Sequence, residues 1–243
     1  MRTFKDQAAM VTGASSGIGR AIALGLAAQG AALCLVGRRR QVLEQVEEEA
    51  RAAGAGLAVS CAADLALDAD LDGLVRRATR DLGRCDVLVN AAGTISPAPI
   101  ASAGVEDLDR HYRTNLRAPA ALTRALLPAL RAAGGQIVFI SSTAVLRPNP
   151  GFGHYAASKH GLKGFADALR EEVNGDGVRV LSVFVGRTAT PMQAAIHEHE
   201  GRPYRPAQLL QPEDVAAVVV HALSLPRTAE VTEISIRPLR KPS

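Results

Sequence analysis

Short apolar runs alternate with longer Ala- and Leu-rich stretches along the whole chain, and this alternation restricts the fold more than any other feature. The runs fall at 8–13, 32–37, 56–61, 85–90, 136–141, 179–185 and 231–236. They are too apolar to face water on either side, so they predict strands buried on both faces. Between them, stretches at 17–29, 41–53, 68–82, 113–132 and 155–173 predict helices. Strands and helices in that alternation build a parallel sheet covered on both faces. A length of 243 residues fits one such α/β domain, 1–243, and no linker, repeat or low-complexity tract divides it. The stretch 191–212 breaks the pattern: it holds prolines, a glycine, two histidines and Tyr204 without a clear period. It reads as a lid or specificity segment, since functional loops concentrate in such places.

Composition excludes several classes. The net charge is only +4 and the basic residues are scattered apart from Arg38-Arg39-Arg40, whereas a nucleic-acid binder concentrates them in a patch. Three cysteines, Cys34, Cys61 and Cys85, form no paired spacing, which argues against disulfides and zinc. They read as reduced, buried thiols of a cytoplasmic protein. His197-Glu198-His199-Glu200 lacks the i, i+4 spacing of a helical metal pair, so no metal is expected. Residues 1–7 are polar, and no apolar run approaches the roughly 18 residues of a membrane span.

Directly after the first strand comes Thr12-Gly13-Ala14-Ser15-Ser16-Gly17-Ile18-Gly19, opening a helix. Gly13 permits a tight turn, Gly17 close approach of backbone to a pyrophosphate, and Gly19 close packing of helix on sheet. Ser15, Ser16 and Ile18 complete the turn, whose free N–H groups and positive helix end attract phosphate. In NAD-binding sheets a carboxylate ends the second strand and accepts from the ribose hydroxyls. Here Gly37 stands in that place, followed by Arg38 and Arg39, which suit a 2′-phosphate through charge-assisted hydrogen bonds. The cofactor expected is NADP(H).

Tyr155-Ala156-Ala157-Ser158-Lys159 sets a phenol and an amine four residues apart, on one helix face. A free tyrosine titrates near pH 10, and an adjacent ammonium favours the phenolate and lowers that value. This predicts an acid/base pair.

The T-G-x-x-x-G-x-G turn and Y-x-x-x-K together resemble the short-chain dehydrogenase/reductase family, and the resemblance runs from about Gln7 to Leu239. It implies a doubly wound Rossmann fold of seven parallel strands, in the order 3-2-1-4-5-6-7. It also implies hydride transfer between nicotinamide and a carbonyl or secondary alcohol, with Tyr155 as acid/base and Lys159 on the nicotinamide ribose. By the same resemblance Ser142 polarises the substrate oxygen, ahead of its neighbour Ser141, and Asn115 relays protons to the lysine. Asp64 with Leu65 would contact the adenine. Asn90-Ala91-Ala92-Gly93 resembles the family's N-N-A-G, short of one Asn. Val185-Gly186-Arg187-Thr188-Ala189-Thr190 resembles P-G-x-x-x-T, with Thr188 and Thr190 at the carboxamide and a valine in place of proline that would loosen the turn or shift the cofactor slightly. A homodimer or homotetramer is implied as well, built on the helices carrying Asn115 and Tyr155. Two other readings stand beside this one: 3-oxoacyl reduction on a carrier-linked chain, which Arg187, Arg202 and Arg205 leave open, and an NADP-binding sensor without turnover.

Overall fold

The computed structural model describes residues 3–147 and 149–240. Pro148 lies outside the described residues. The seven strands are β1 (Ala8–Thr12), β2 (Ala32–Gly37), β3 (Ala58–Ala62), β4 (Val87–Asn90), β5 (Gln136–Ser142), β6 (Arg179–Val185) and β7 (Glu233–Ile236). All neighbours pair in parallel, in the order 3-2-1-4-5-6-7.

The apolar runs form this sheet because successive side chains point to opposite faces and both faces are covered. Ala9, Val11, Leu33, Leu35, Val87 and Val89 enter one core. The residues between them, Met10, Cys34, Val36 and Leu88, enter the other. The first core packs under α1 (Gly17–Ala28), α2 (Arg40–Ala53) and α8 (Pro212–Ser224), through residues such as Ile22, Leu26, Leu43, Val46, Val215 and Val219. The second packs under α3 (Asp68–Leu82), α5 (Ala118–Ala133) and α6 (Gly153–Val173), through Leu71, Leu74, Leu122, Leu126, Leu162 and Leu169. Each fully buried leucine contributes about 1.5–3 kcal/mol, so aliphatic side chains carry a core with few aromatics. The three cysteines are free and buried.

Three helices were absent from the sequence pattern. α4 (Val105–Tyr112) is short and mostly polar, α8 carries a β-branched run, and α7 (Pro191–His199) lies in the stretch read as aperiodic. In α7 and α8 a proline at the first helical position sets the start, where its missing N–H costs nothing. The stretch 191–212 is therefore partly helical, a correction to its reading as irregular. Between α4 and α5 the chain does not break. Arg113–Arg117 forms a π-helical turn, so the predicted helix at 113–132 is the later part of a longer one.

Strand order reverses between β1 and β4, and their C-terminal ends open a crevice of the kind where α/β sheets bind ligands. The opposite end is held by Asp86, whose Oδ2 accepts from the Ala8 N–H at 2.8 Å and whose carbonyl accepts from the Gln136 N–H at 2.8 Å. Replacing Asp86 by alanine orphans a buried N–H, which should cost about 2 kcal/mol and lower Tm by roughly 4–8 °C at this chain length. A melt within 1 °C of wild type would show that this carboxylate does not register β1 against β4.

Candidate active site

The crevice begins with Thr12, the last residue of β1. Its hydroxyl donates to Val89 O at 3.3 Å and accepts from the N–H groups of Ala91 and Ala92, each at 3.1 Å. Gly13 follows with φ +70° and Gly17 with φ +53°, values side chains rarely tolerate. Contacts close the turn further. A Cβ on Gly13 would lie 2.9 Å from Ala92 N, on Gly17 2.8 Å from a Thr190 methyl, and on Gly19 2.5 Å from Gly13 O. Ser16 precedes α1 in extended backbone without its side chain capping the helix, and the first turn carries no acid. Open N–H groups at a helix start, with Ser15 and Ile18 beside them, fit a pyrophosphate.

At the end of β2, Gly37 would place a Cβ 3.3 Å from Ser15 Oγ. Arg39 reaches back to the same serine, its Nη2 donating to Ser15 O and Oγ at 3.3 Å. Arg38 and Arg39 are exposed, and the α2 they introduce has no acid in its first turn. Beyond β3, Asp64 Oδ1 accepts from the Ala66 N–H at 3.0 Å and Leu65 is buried. Asn90 ends β4 with its side-chain amide buried and without a partner among the described residues. Gly93 lies nearer the chemistry, since a Cβ there would come within 3.3 Å of Asn115 Oδ1 and 3.7 Å of Lys159 Nζ.

Ser142 ends β5, and its Oγ accepts from the Ala144 N–H at 3.1 Å. It faces a cavity of about 160 Å³ with Tyr155, Thr188 and Thr190, whereas the Ser141 side chain is buried and without a partner among the described residues. Tyr155 lies near the start of α6, with Lys159 one turn on. The expected lowering of the Tyr155 pKa is not what the fold produces. Burial pushes the phenol up, and only the hydrogen bond with Ser142 pulls it back in part. Lys159 is buried and donates to Ile140 O at 2.9 Å. Burial brings its ammonium down to about 8.

Asn115 sits in the π-helical turn, which rotates it inward. Its Oδ1 accepts from the Thr94 N–H at 2.8 Å, and its Nδ2 donates to Thr94 O and to Ser158 Oγ, both at 3.0 Å. Ser158 Oγ in turn donates to Tyr155 O at 2.7 Å. The amide thus ties the strand-four loop to α6. Sequence reasoning missed Ser158, though it lies inside Y-x-x-x-K, and missed the buried His111, one turn before Asn115.

On the far wall, Thr190 caps α7 by accepting from the Gln193 N–H at 3.2 Å, while Thr188 Oγ1 donates to Gly186 O at 3.0 Å. Val185, in the place of the family's proline, pairs within the sheet with Ser142 and Ile236, and Gly186 N donates to Ile236 O at 2.8 Å. Arg187 is held by Glu200 through two bonds of 2.8 and 2.6 Å. His197 bonds Gln193 and packs edge-on to Tyr204, and His154 is half-buried.

Residues 7–201 match the model of the short chain dehydrogenase family. The chain belongs to that family. It is similar to the glycine betaine reductase of Emericella nidulans, 38% identical over 96% of this chain, and spans 19% of that larger protein. An uncharacterized oxidoreductase of Staphylococcus epidermidis is 31% identical, the match covering 98% of this chain and 100% of that one. A solved metagenomic short-chain oxidoreductase in complex with NADP is 34% identical, with a TM-score of 0.83 over 98% of this chain and 100% of that one. As a short-chain dehydrogenase, the chain is an oxidoreductase, and no helix among its described residues is long and apolar enough to cross a membrane.

The glycine contacts generate a test. In Gly19→Ala the new methyl collides with Gly13 O, so the dissociation constant for NADPH should rise about tenfold or more, equivalent to about 1.4 kcal/mol. Titration calorimetry giving an unchanged constant would remove this turn from the binding site.

Proposed function

We propose that this short-chain dehydrogenase uses NADP(H) to interconvert a carbonyl and a secondary alcohol on a small, largely apolar substrate, with Tyr155 as acid/base. The observation that carries the reading is the juxtaposition of Ser142 and Tyr155, hydrogen-bonded to each other, in a cavity also lined by Thr188 and Thr190. Much of the remaining lining is apolar, including Ile95, Phe152, Met192 and Ile196.

The bound cofactor would supply the hydride. Ser142 and Tyr155 hold the substrate oxygen with two hydroxyls. Burial keeps the phenol protonated at neutrality, the form a proton donor needs. As its proton leaves, the Lys159 ammonium one turn away stabilises the phenolate. Asn115 and Ser158 hold the Tyr155 backbone in register. Thr188 and Thr190 would take the carboxamide, the Gly13–Gly19 turn the pyrophosphate, and Asp64, Leu65, Asn90 and Ala91 the adenosine side. Gly37, with Arg38 and Arg39 on the rim, supports NADP over NAD, as does the NADP complex of the metagenomic relative.

A carrier-linked 3-oxoacyl substrate is less well supported. Of the three arginines able to receive an acidic carrier, Arg187 and Arg202 both face Glu200. An NADP sensor without turnover would need no hydroxyl pair aimed into the cavity. We infer a cytoplasmic homodimer or homotetramer. The exposed Val105, Leu108 and Tyr112 support this assembly, since they share one face of α4 at i, i+3 and i+7.

Two sets of measurements test the assignment. With NADPH and a panel of ketones, diketones and 3-oxoacyl thioesters, Tyr155→Phe should lose at least about 100-fold in kcat while still binding NADPH. In the wild type, kcat/KM for reduction should be level below pH 7 and decline as Lys159 loses its proton around 8. Activity surviving in Tyr155→Phe, or a level profile to pH 10, would overturn the mechanism. The second concerns the cofactor: Arg39→Ala should weaken NADPH about tenfold and leave NADH within a factor of about two, a charge-assisted hydrogen bond being worth ~1.5–3 kcal/mol. Equal losses for both cofactors would refute a 2′-phosphate contact.

A further inference from the structure

His111 is completely buried, and the chemistry above gives it no task. Its ring lies on α4 with both nitrogens engaged. Nδ1 is 2.6 Å from Asp107 O, and Nε2 is 3.1 Å from Ser96 N. A carbonyl only accepts and an amide N–H only donates, so the proton must sit on Nδ1 and Nε2 must be the acceptor. The imidazole is therefore held as one neutral tautomer. Its surroundings agree: burial lowers its pKa, and the charged or titratable groups near it among the described residues are Asp107 and Arg110 on its own helix and His154 and Tyr155 from α6.

Two parts of the cavity meet at this ring. The irregular segment after β4 is fixed at Thr94 by Asn115, at Ser96 by His111, and at Ala98, whose N–H donates to Gly151 O at 2.8 Å. Ile95, between the first two anchors, lines the cavity. On its other side the imidazole meets the Tyr155 ring edge to face, with centroids 6.2 Å apart and planes at 70°. A histidine serving only as core filling would need neither the acceptor bond to Ser96 nor a place against the phenol.

We propose that His111 is a positioning residue of the reaction, a neutral imidazole that seats the Ile95 wall through Ser96 and fixes the tilt of Tyr155 through the ring contact. The inference rests on Tyr155 as acid/base, and the two fail in different experiments.

The test uses the full chain with three variants. His111→Gln keeps an acceptor within reach of Ser96 but loses the ring. His111→Phe keeps the ring but loses the acceptor. In His111→Phe, backbone hydrogen exchange over residues 93–98 should accelerate about tenfold and substrate KM rise about tenfold, because the Ser96 N–H loses its partner. In His111→Gln, exchange and KM should stay near wild type while kcat falls about tenfold. NADPH affinity should stay within a factor of about two in both. His111→Asn, whose amide is too short for Ser96, should repeat the exchange result if His111→Phe does not fold. Unchanged exchange in His111→Phe and His111→Asn overturns the proposal. So does a joint loss of NADPH affinity and activity in both ring-removed and acceptor-removed variants, which is the mark of a merely structural residue. If Tyr155→Phe turns over normally, the acid/base reading falls instead, and exchange over 93–98 still decides the Ser96 anchor.

Discussion

The hydroxyl of Thr12 satisfies two backbone N–H groups at the point where the sheet has to come apart. A parallel sheet whose strand order reverses must open at the reversal, and the residues leaving β4 there lose their neighbouring strand. Ala91 and Ala92 would be left with unpaired donors next to the core, a cost of about 1–3 kcal/mol each. Thr12 Oγ1 accepts from both and donates to Val89 O. The opening is thereby held at a set width rather than left to fray. The close approach of Gly13 to Ala92 follows from it, as does the path that brings Gly93 beside Asn115 and Lys159.

From that fixed crevice the electrostatics follow by burial. A half-buried phenol and a buried amine stand one helical turn apart, and desolvation moves them in opposite directions, each toward its neutral form. Lys159 is lowered to about 8 and Tyr155 is raised. Desolvation wins over attraction here because the ammonium is turned to Ile140 O and the phenol to Ser142. In the proposed acid/base role the pair suits proton donation near neutrality, a protonated phenol standing beside an amine still largely charged.

How much of this could be read from sequence depends on whether the signal was local. The sheet was legible because strands buried on both faces must be apolar throughout, and the glycine turn because its contacts leave no room for a Cβ. Tyr155 and Lys159 were legible because helical spacing puts them on one face. The direction of the Tyr155 shift was not, since desolvation depends on what folds over a residue. Nor was the π-helical turn at Arg113–Arg117: a one-residue widening leaves no mark on periodicity, yet it aims Asn115 at Thr94 and Ser158. α7 was hidden for a different reason. Its start depends on Thr190 capping the helix and Pro191 occupying the first position, so the prolines and histidines of 191–212 outweighed any period.

The same helix shows how the site divides its work. Ser142, Tyr155 and Lys159 stand on a sheet end and a long helix packed into the second core, where they have little freedom. α7 lies over the opposite wall and is fastened at both ends: Thr190 caps its start beside Gly17, and Glu200, just past its end, binds Arg187. Met192, Gln193 and Ile196 reach the cavity from between those two fastenings. Substitutions along this helix would change the shape offered to a substrate without shifting β5 or α6. On the proposed function, the wall that selects can therefore vary while Ser142, Tyr155 and Lys159 stay fixed, so the residues proposed for the chemistry are easier to read from the chain than the substrate.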